Sequence, residues 1–246
     1  ERELRQGAGV SAPPIERRER VGELPLSFAQ QRLWFIEQME PGNDLYNMPA
    51  AFKLTGALDV EALERTLTEI VRRHEVLRTS FTNEDERPVQ VIHPVAPVKL
   101  LLLELGHLAA EEREEQVRQS AQAEAAQPFD LSHGPLWRAQ LLRLGESEHV
   151  LLFTMHHIVS DGWSIAVLIK EVVALYSAFL AGEPSPLAEL TIQYADYAVW
   201  QREYLQGERL EQQLAYWRRQ LEGAPTVLNL PFDHLQPAVQ DHSGAL

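Results

Sequence analysis

The chain has 246 residues, of which 45% are hydrophobic and 24% charged, so we expect a packed core rather than disorder. Its 22 Lys and Arg against 36 Asp and Glu give a formal charge of −14. This acidity argues against binding of nucleic acids or anionic membranes, which requires a cationic face. No cysteine is present, which excludes disulfides, thiolate nucleophiles and cysteine-based metal sites. No apolar run approaches the roughly 20 residues of a membrane span, and we expect a cytoplasmic protein.

The first elements can be predicted from caps and periodicity. Residues 1–22 are polar, contain Pro and Gly and lack an apolar signal-peptide core, so we predict a flexible linker. Ser27 is the expected N-cap of a helix that ends near Met39, and residues 46–55 are typical of a strand. Asp59 is the expected cap of a second helix with one apolar stripe. The stripe consists of Leu63, Leu67, Ile70 and Val71.

The middle of the chain alternates between strand and helix patterns. Three strand-like segments lie at 77–81, 88–93 and 98–105. An Ala- and Glu-rich surface helix is predicted at 109–126. Residues 136–144 and 149–157 then predict a hairpin, because a polar turn separates them. The second of these strands is nearly all apolar, which indicates burial on both faces.

A further helix is predicted from about Trp163 to the prolines at 184 and 186. Its apolar face consists of Ile165, Leu168, Val172, Tyr176 and Phe179. Two more helices are predicted between Gln193 and Glu222. Strands that alternate with helices, with hairpin-like pairs among them, predict an α/β sandwich with a mixed sheet.

The chemistry-bearing segment is Met155–Ser164, which lies where the buried strand ends and the next helix begins. Successive strand side chains alternate, so His156 and His157 should face opposite sides and only one can point into a given cleft. Gly162 would free the backbone, and the first amides of the helix could donate to a developing oxyanion. A histidine beside such donors suits general-base catalysis near neutral pH.

Two other interpretations of this segment remain open from its residues alone. The two histidines could be a packed pair bonded to backbone carbonyls, with Asp161 acting only as a helix N-cap. Alternatively, His157 and Asp161 could both ligate a metal, although no third ligand stands at motif spacing.

Four segments together, within residues 24–245, resemble the condensation domain of nonribosomal peptide synthetases. They are Ser27–Trp34 (SFAQQRLW), Arg73–Phe81 (RHEVLRTSF), His156–Gly162 (HHIVSDG) and Tyr194–Trp200 (YADYAVW). The resemblance implies a chloramphenicol-acetyltransferase-like two-layer sandwich with a mixed β-sheet, forming one lobe of a two-lobed domain. It also implies a tunnel between the lobes, into which donor and acceptor carrier proteins insert phosphopantetheine arms.

The same resemblance implies domain limits. Residues 23–232 would be the N-terminal lobe, and residues 233–246 the start of the crossover to a C-terminal lobe that this sequence does not contain. Neighbouring synthetase domains and that second lobe would be partners, besides the carrier proteins. We therefore expect the lobe to fold but to catalyse condensation poorly or not at all.

Roles for individual residues follow from the resemblance. His157 would face the tunnel and position or deprotonate the acceptor's α-amino group, without a metal or a cofactor of the chain's own. Asp161 would be structural and ion-paired to Arg78, and His156 would support by packing. Gly162 would keep the tunnel open for the arm. The tunnel-wall candidates are Trp163 and Ser164. The motif residues expected to be scaffold are Ser27, Arg32, Trp34, Tyr194 and Trp200.

The opening motif with residues 41–49 (PGNDLYNMP) resembles domains that join an L-configured donor to an L-configured acceptor in antibiotic and other secondary-metabolite synthesis. Two alternatives belong to other classes. One is a stand-alone acyltransferase of the same superfamily that uses coenzyme A and works as an oligomer. The other is a non-catalytic module that docks carrier proteins, for which the basic residues would be Arg17, Arg18 and Arg20.

Overall fold

The computed structural model describes residues 12–84, 87–227 and 231. The chain divides into two compact units, Glu1–Arg202 and Glu203–Leu246. The first unit holds every strand that the structure describes, together with the motif histidines. The second holds the last helix, on which Tyr216 and Trp217 make an edge-on ring contact. The predicted crossover at 233–246 lies outside the described residues.

The described residues form seven strands and six α-helices. The strands are β1 (Leu24–Pro25), β2 (Asn47–Thr55), β3 (Thr79–Glu84), β4 (Arg87–Ile92), β5 (Leu101–Glu104), β6 (Trp137–Arg143) and β7 (Glu148–His156). The helices are α1 (Phe28–Met39), α2 (Val60–Arg73), α3 (Ala110–Ala126), α4 (Gly162–Leu180), α5 (Tyr194–Tyr204) and α6 (Gly207–Gln220). The predicted helices and strands are confirmed, apart from shifted ends. The strand predicted from residue 77 begins at Thr79, because Glu75–Arg78 forms a 3₁₀ turn.

The strands form two sheets. One is four-stranded, in the order β2-β7-β6-β5, and the other is three-stranded, in the order β1-β4-β3. In the larger sheet β5 runs parallel to β6, while β6 and β2 run antiparallel to β7. The predicted mixed sheet and the β6–β7 hairpin are therefore confirmed.

The core is organised around β7, which is buried from His149 to His156. Phe153 and Met155 pack with the apolar stripe of α2 and with α4 on one face of the sheet. Val150 and Leu152 pack on the opposite face, where α3 covers them with Val117 and Ala121. The prediction of a strand buried on both faces is confirmed.

One expectation, that no apolar run approaches the length of a membrane span, is wrong for helix α4. With 19 residues and a mean hydropathy of 1.7, it is long and apolar enough to cross a bilayer by length and composition. The apolar face that we predicted packs against the core through Ile165, Leu168, Val172, Tyr176 and Phe179. Its Glu171 binds Arg73 and His74 at the end of α2. The outer face leaves Trp163 and Val173 exposed.

The described part of the predicted linker is anchored to the first unit through Asp196 of α5. Arg20 Nη1 lies 2.6 Å from Asp196 Oδ1, and Arg20 Nε donates to Glu75 Oε2 at 2.8 Å. The Arg18 amide also donates to Asp196, at 2.9 Å. These contacts hold Arg18 and Arg20 to α5 and to Glu75, while the flexible linker at 1–22 stays a prediction. They also occupy the guanidinium of Arg20, one of the three arginines considered for a basic docking patch.

Asp196 is fully buried, so its charge must be compensated locally. Burial alone would raise the pKa of its carboxyl. Hydrogen bonds from the Arg20 side chain and from the Arg18 and Gln193 amides outweigh burial and lower this pKa. The fourth motif thus contains a structural anchor, Asp196, which sequence reasoning did not single out.

We expect Asp196→Asn to lower the free energy of unfolding by about 2–3 kcal/mol, because it removes one of the two carboxylates that pair with Arg20, leaving Glu75, and sets an NH₂ group against the Gln193 amide. Urea denaturation followed by circular dichroism measures this. Glu19→Gln removes an exposed carboxylate from the same segment and is the matched control. Equal stability of the two variants would contradict the anchoring role.

Two buried histidines of β7 should make the stability of the fold depend on pH. His149 and His156 are 1% and 3% exposed. Burial lowers the pKa of both, and that of His156 falls to about 4, with a smaller contribution from the neighbouring His157. The His156 Nδ1 accepts a hydrogen bond from the Ile158 amide at 3.0 Å, so protonation there would also break this contact.

Because the folded pKa of His156 lies below the ordinary value of about 6.5, the unfolded chain binds the extra proton first. Stability should therefore fall as pH drops from about 6.5 to about 4, by up to about 3 kcal/mol from this residue. We expect His156→Asn, which keeps an acceptor, to flatten this part of the profile in urea denaturation at several pH values. His107→Asn, at an exposed position, should leave the slope of stability against pH unchanged. Equal slopes for the wild type and both variants would contradict the assignment of this pH dependence to His156.

Candidate functional site

The end of β7 positions the two motif histidines. The His156 amide donates to the Leu136 carbonyl at 3.0 Å, and the His157 amide donates to the Tyr46 carbonyl at 2.8 Å. The backbone is therefore held on both sides up to the point where the chain leaves the sheet. His156 is buried and His157 is exposed, so the predicted separation of the two side chains is present.

His156 lies in an aromatic environment. Its ring meets Phe129 edge-on with centroids 6.1 Å apart, and Tyr46 at 6.3 Å. A neutral ring with its Nδ1 engaged and its pKa near 4 is unsuited to take up a proton at neutral pH. The packing part of the packed-pair interpretation therefore describes His156. Its carbonyl-bonding part does not, because His156 accepts from the Ile158 amide and it is His157 that bonds to a backbone carbonyl.

His157 has a defined tautomer and a free face. Its Nδ1 lies 2.7 Å from the Ser160 carbonyl oxygen. A carbonyl oxygen only accepts, so Nδ1 carries the proton and Nε2 of the neutral ring is the accepting nitrogen. This arrangement orients the imidazole and leaves a base directed away from the loop.

Asp161 is the N-cap of α4. Its Oδ1 accepts from the Ser164 amide at 2.8 Å and from Ser164 Oγ at 2.6 Å, while Ser164 Oγ accepts from the Asp161 amide at 3.2 Å. The Ser164 hydroxyl and amide, together with His157, lower the pKa of the Asp161 carboxyl despite some burial. The capping interpretation of Asp161 is confirmed.

The predicted ion pair between Asp161 and Arg78 is wrong. Arg78 Nη1 donates to the His93 carbonyl at 2.5 Å, and its Nη2 lies 3.9 Å from Glu75. Arg78 lines a separate groove of about 770 Å³ beside β6. The physical reason is that the 3₁₀ turn directs Arg78 towards the β4 end of the smaller sheet, while Ser164 satisfies the Asp161 carboxylate.

Gly162 opens α4 without a left-handed backbone, and a Cβ placed there would meet no heavy atom within 4 Å of it in the described chain. The expectation that Gly162 frees the backbone is therefore not supported. Its role in keeping a tunnel open stays a prediction. The Ser164 amide and, more weakly, the Trp163 amide are already directed to Asp161, which leaves the Gly162 amide as the candidate oxyanion donor.

A cavity of about 380 Å³ lies against His157. Its polar lining comprises Arg32, His74, His157, Ser160, Asp161, Ser164, Gln193 and Tyr194. Trp163 instead borders a smaller adjoining cavity. Ser164 therefore lines the same cavity as His157. Trp163 lines the adjoining cavity, and Arg78 lines the separate groove beside β6.

Sequence reasoning did not single out three polar residues of the cavity wall, which are His74, Ser160 and Gln193. His74 is held by Glu171, whose Oε2 lies 2.8 Å from His74 Nε2, and it belongs to the second motif. Ser160 contributes its backbone carbonyl. Every residue has this group, so the residue type at position 160 does not indicate the role. Tyr194, expected to be scaffold, bonds Ser27 Oγ through its hydroxyl at 3.0 Å, which links the first and fourth motifs at the cavity.

The metal interpretation gains no support from this geometry. In residues 12–84, 87–227 and 231, no group of three or more His, Asp or Glu side chains is placed to hold a metal ion. His157 Nδ1 and the Asp161 carboxylate are turned instead to Ser160 and Ser164.

Comparisons with known proteins agree with this geometry. The chain is 53% identical over 227 residues to a linear gramicidin synthase protein of Brevibacillus parabrevis, covering 92% of this chain and 4% of that protein. Among solved structures it resembles the X-domain in the complex with OxyB from teicoplanin biosynthesis, with 34% identity, a TM-score of 0.81 and coverage of 94% and 50% of the two chains. The first condensation domain of the calcium-dependent antibiotic synthetase gives 26% identity, a TM-score of 0.73 and coverage of 83% and 48%.

This chain therefore spans a small fraction of its synthase relative and about half of each solved chain. The model of one family, described as the condensation domain, matches residues 20–245. The four motifs, the mixed sheet and the histidine at the end of β7 all fall within this match. The chain belongs to the condensation domain family of nonribosomal peptide synthetases.

Proposed function

We propose that this chain supplies the histidine-bearing part of an active site that forms a peptide bond. The donor would be an aminoacyl or peptidyl thioester and the acceptor the α-amino group of a second aminoacyl thioester. Both would be tethered to phosphopantetheine arms of carrier proteins. The observation that carries the proposal is the orientation of His157, whose Nδ1 is bonded to the Ser160 carbonyl beside an accessible cavity.

In the proposed step, His157 Nε2 accepts a proton from the acceptor amine as the amine lone pair attacks the thioester carbonyl carbon. The C–S bond then breaks, and the proton passes from Nε2 to the departing thiolate. The pKa of an α-amino group is about 8, so its deprotonation needs little assistance. Much of the benefit therefore comes from holding the amine in line with the carbonyl.

Asp161 supports this step indirectly. It fixes the start of α4 through Ser164, and the position of this helix start determines where the Ser160 carbonyl lies, directly before the cap. The Gly162 amide at the same helix start is the candidate donor to the oxyanion that forms on the carbonyl. His156 supports the site by packing at the end of β7.

The proposed partners are the two carrier proteins, neighbouring synthetase domains and a second lobe that would close the cavity. The similarity to a synthase many times longer supports multidomain partners. The L-to-L subtype is part of the proposal and is supported by the opening motif with residues 41–49.

A second candidate function is that of a docking module. It is favoured by the similarity to the teicoplanin X-domain, which was solved in complex with another protein, OxyB. The two candidates differ in their dependence on His157: docking does not require a base, whereas condensation does.

We expect His157→Ala to lower the condensation rate by at least about 100-fold, the usual contribution of a general base. The assay uses donor- and acceptor-loaded carrier proteins and mass spectrometry, with the chain alone and joined to a condensation-domain second lobe. Thermal unfolding should not change, because His157 is exposed.

His107→Ala is the matched control, since it removes an exposed imidazole that does not line the cavity at His157. It should retain most of the activity. Condensation by the His157→Ala protein at the wild-type rate would reject the catalytic proposal. Carrier binding that survives in the same protein would then favour the docking module.

We expect Asp161→Ala to lower the free energy of unfolding by about 1 kcal/mol through loss of the cap, and Asp161→Asn to restore most of it. If Asp161 acts through the fold, activity should follow stability across the two variants. Loss of activity in Asp161→Asn at wild-type stability would instead assign chemistry to the carboxylate. Urea denaturation and the condensation assay measure the two quantities.

A further inference from the structure

A second cavity, of about 160 Å³, adjoins the His157 cavity between α2, the 3₁₀ turn, β7 and the start of α4. The two cavities share His74, Val76, Val159, Ser160 and Ser164 as common walls. We name this smaller space the α4 cavity. Its remaining walls are Ile70, Leu77, Met155, Trp163, Val167 and Leu168.

The walls of the α4 cavity are apolar and fixed. Ile70, Leu77 and Met155 are buried members of the main core cluster, so they cannot move without disturbing the sheet. Its one titratable side chain, His74, is held to Glu171 at 2.8 Å. The space is therefore a preformed apolar pocket with few polar groups.

Two residues that line the α4 cavity, both on α4, are exposed to solvent. Trp163 is 82% exposed and Val167 is 37% exposed, so both stand at the rim. Ser160 contacts the His157 ring with its carbonyl and forms part of the wall of the α4 cavity.

The size of the cavity limits its occupant. An apolar cavity of about 150 Å³ in another protein admits benzene. The α4 cavity should therefore accept an aliphatic side chain or one phenyl ring. A charged side chain would lose its hydration there, and the one titratable wall residue, His74, is already engaged by Glu171.

We propose that the α4 cavity binds the apolar side chain of one of the two condensing residues, while the reacting carbonyl or amine of that residue lies at His157. This inference rests on the proposed function and adds the substrate class: an aminoacyl group with a leucine-like or phenylalanine-like side chain. Val167 at the rim and the buried walls Ile70 and Met155 determine the specificity.

Binding can be tested on this chain directly, without condensation. The chain carries three methionines, so ¹³C-methyl labelling gives few signals. The N-acetylcysteamine thioesters of N-acetyl-leucine and N-acetyl-phenylalanine should shift the Met155 methyl signal, and those of alanine and aspartate should not. Met39, on the exposed face of α1 and outside the cavity, is the internal control.

The variant Val167→Phe narrows the rim and should weaken binding of the leucine probe by at least about 10-fold, the lower end of what one misplaced group costs in an apolar pocket. Val173→Phe makes the same change at an exposed position of α4 outside the cavity and should bind normally. Equal thermal unfolding of the two variants shows that both are folded. A Met155 signal unmoved by every probe would overturn the proposal.

Condensation assays with the second lobe present then identify which residue occupies the pocket. Leucine and alanine are exchanged first in the donor and then in the acceptor, and a preference of at least about 10-fold is expected in one position only. Equal rates in both positions would overturn the inference while leaving the proposed function intact. No condensation with any pair, despite a Met155 shift, would overturn the proposed function but not the pocket.

Discussion

The burial of β7 on both faces is the constraint on which the site depends. The strand is paired with β2 and β6 along its length, and its last residue, His156, packs against Phe129. Since side chains of successive residues point to opposite sides, the burial of His156 places His157 on the cavity side. The apolar composition of the strand therefore determines the direction of the one exposed imidazole of the motif.

The loop between β7 and α4 is built from backbone groups as much as from side chains. The Ser160 carbonyl orients His157, and the Ser164 amide and hydroxyl hold Asp161. Asp161 in turn fixes where α4 begins. The acidic residue of the motif is thus a helix cap, and the ion pair that resemblance suggested is replaced by contacts within one turn of chain.

A polar network joins the N-terminal segment to the wall of the His157 cavity. Arg20 binds buried Asp196 and Glu75, and Asp196 accepts from the Gln193 amide. The Gln193 side chain reaches back to the Arg73 carbonyl at 2.8 Å, next to His74. Arg20, which lies before β1, therefore helps to hold the second motif against α5.

By itself, the sequence determined the elements, and its resemblance to a known family pointed to His157 as the proposed reacting histidine. Ser27, Asp59 and the apolar stripe of α2 act locally or at helical spacing, so their structural roles follow from residue type and spacing. The alternation in β7 also fixed the opposite orientations of His156 and His157. Tertiary structure decided which partners the charged side chains take: Arg78 turned to His93, Arg20 to Asp196 and His74 to Glu171.

These partners lie 15 to 176 residues apart along the chain, so no local pattern predicts them. The α4 cavity has the same origin, because its walls come from four elements that meet only when the sheet and helices pack. Short-range hydrogen bonding and periodicity are encoded in neighbouring residues. The pairing of charges and the shape of a cavity depend on how distant surfaces meet, and only the folded chain determines that.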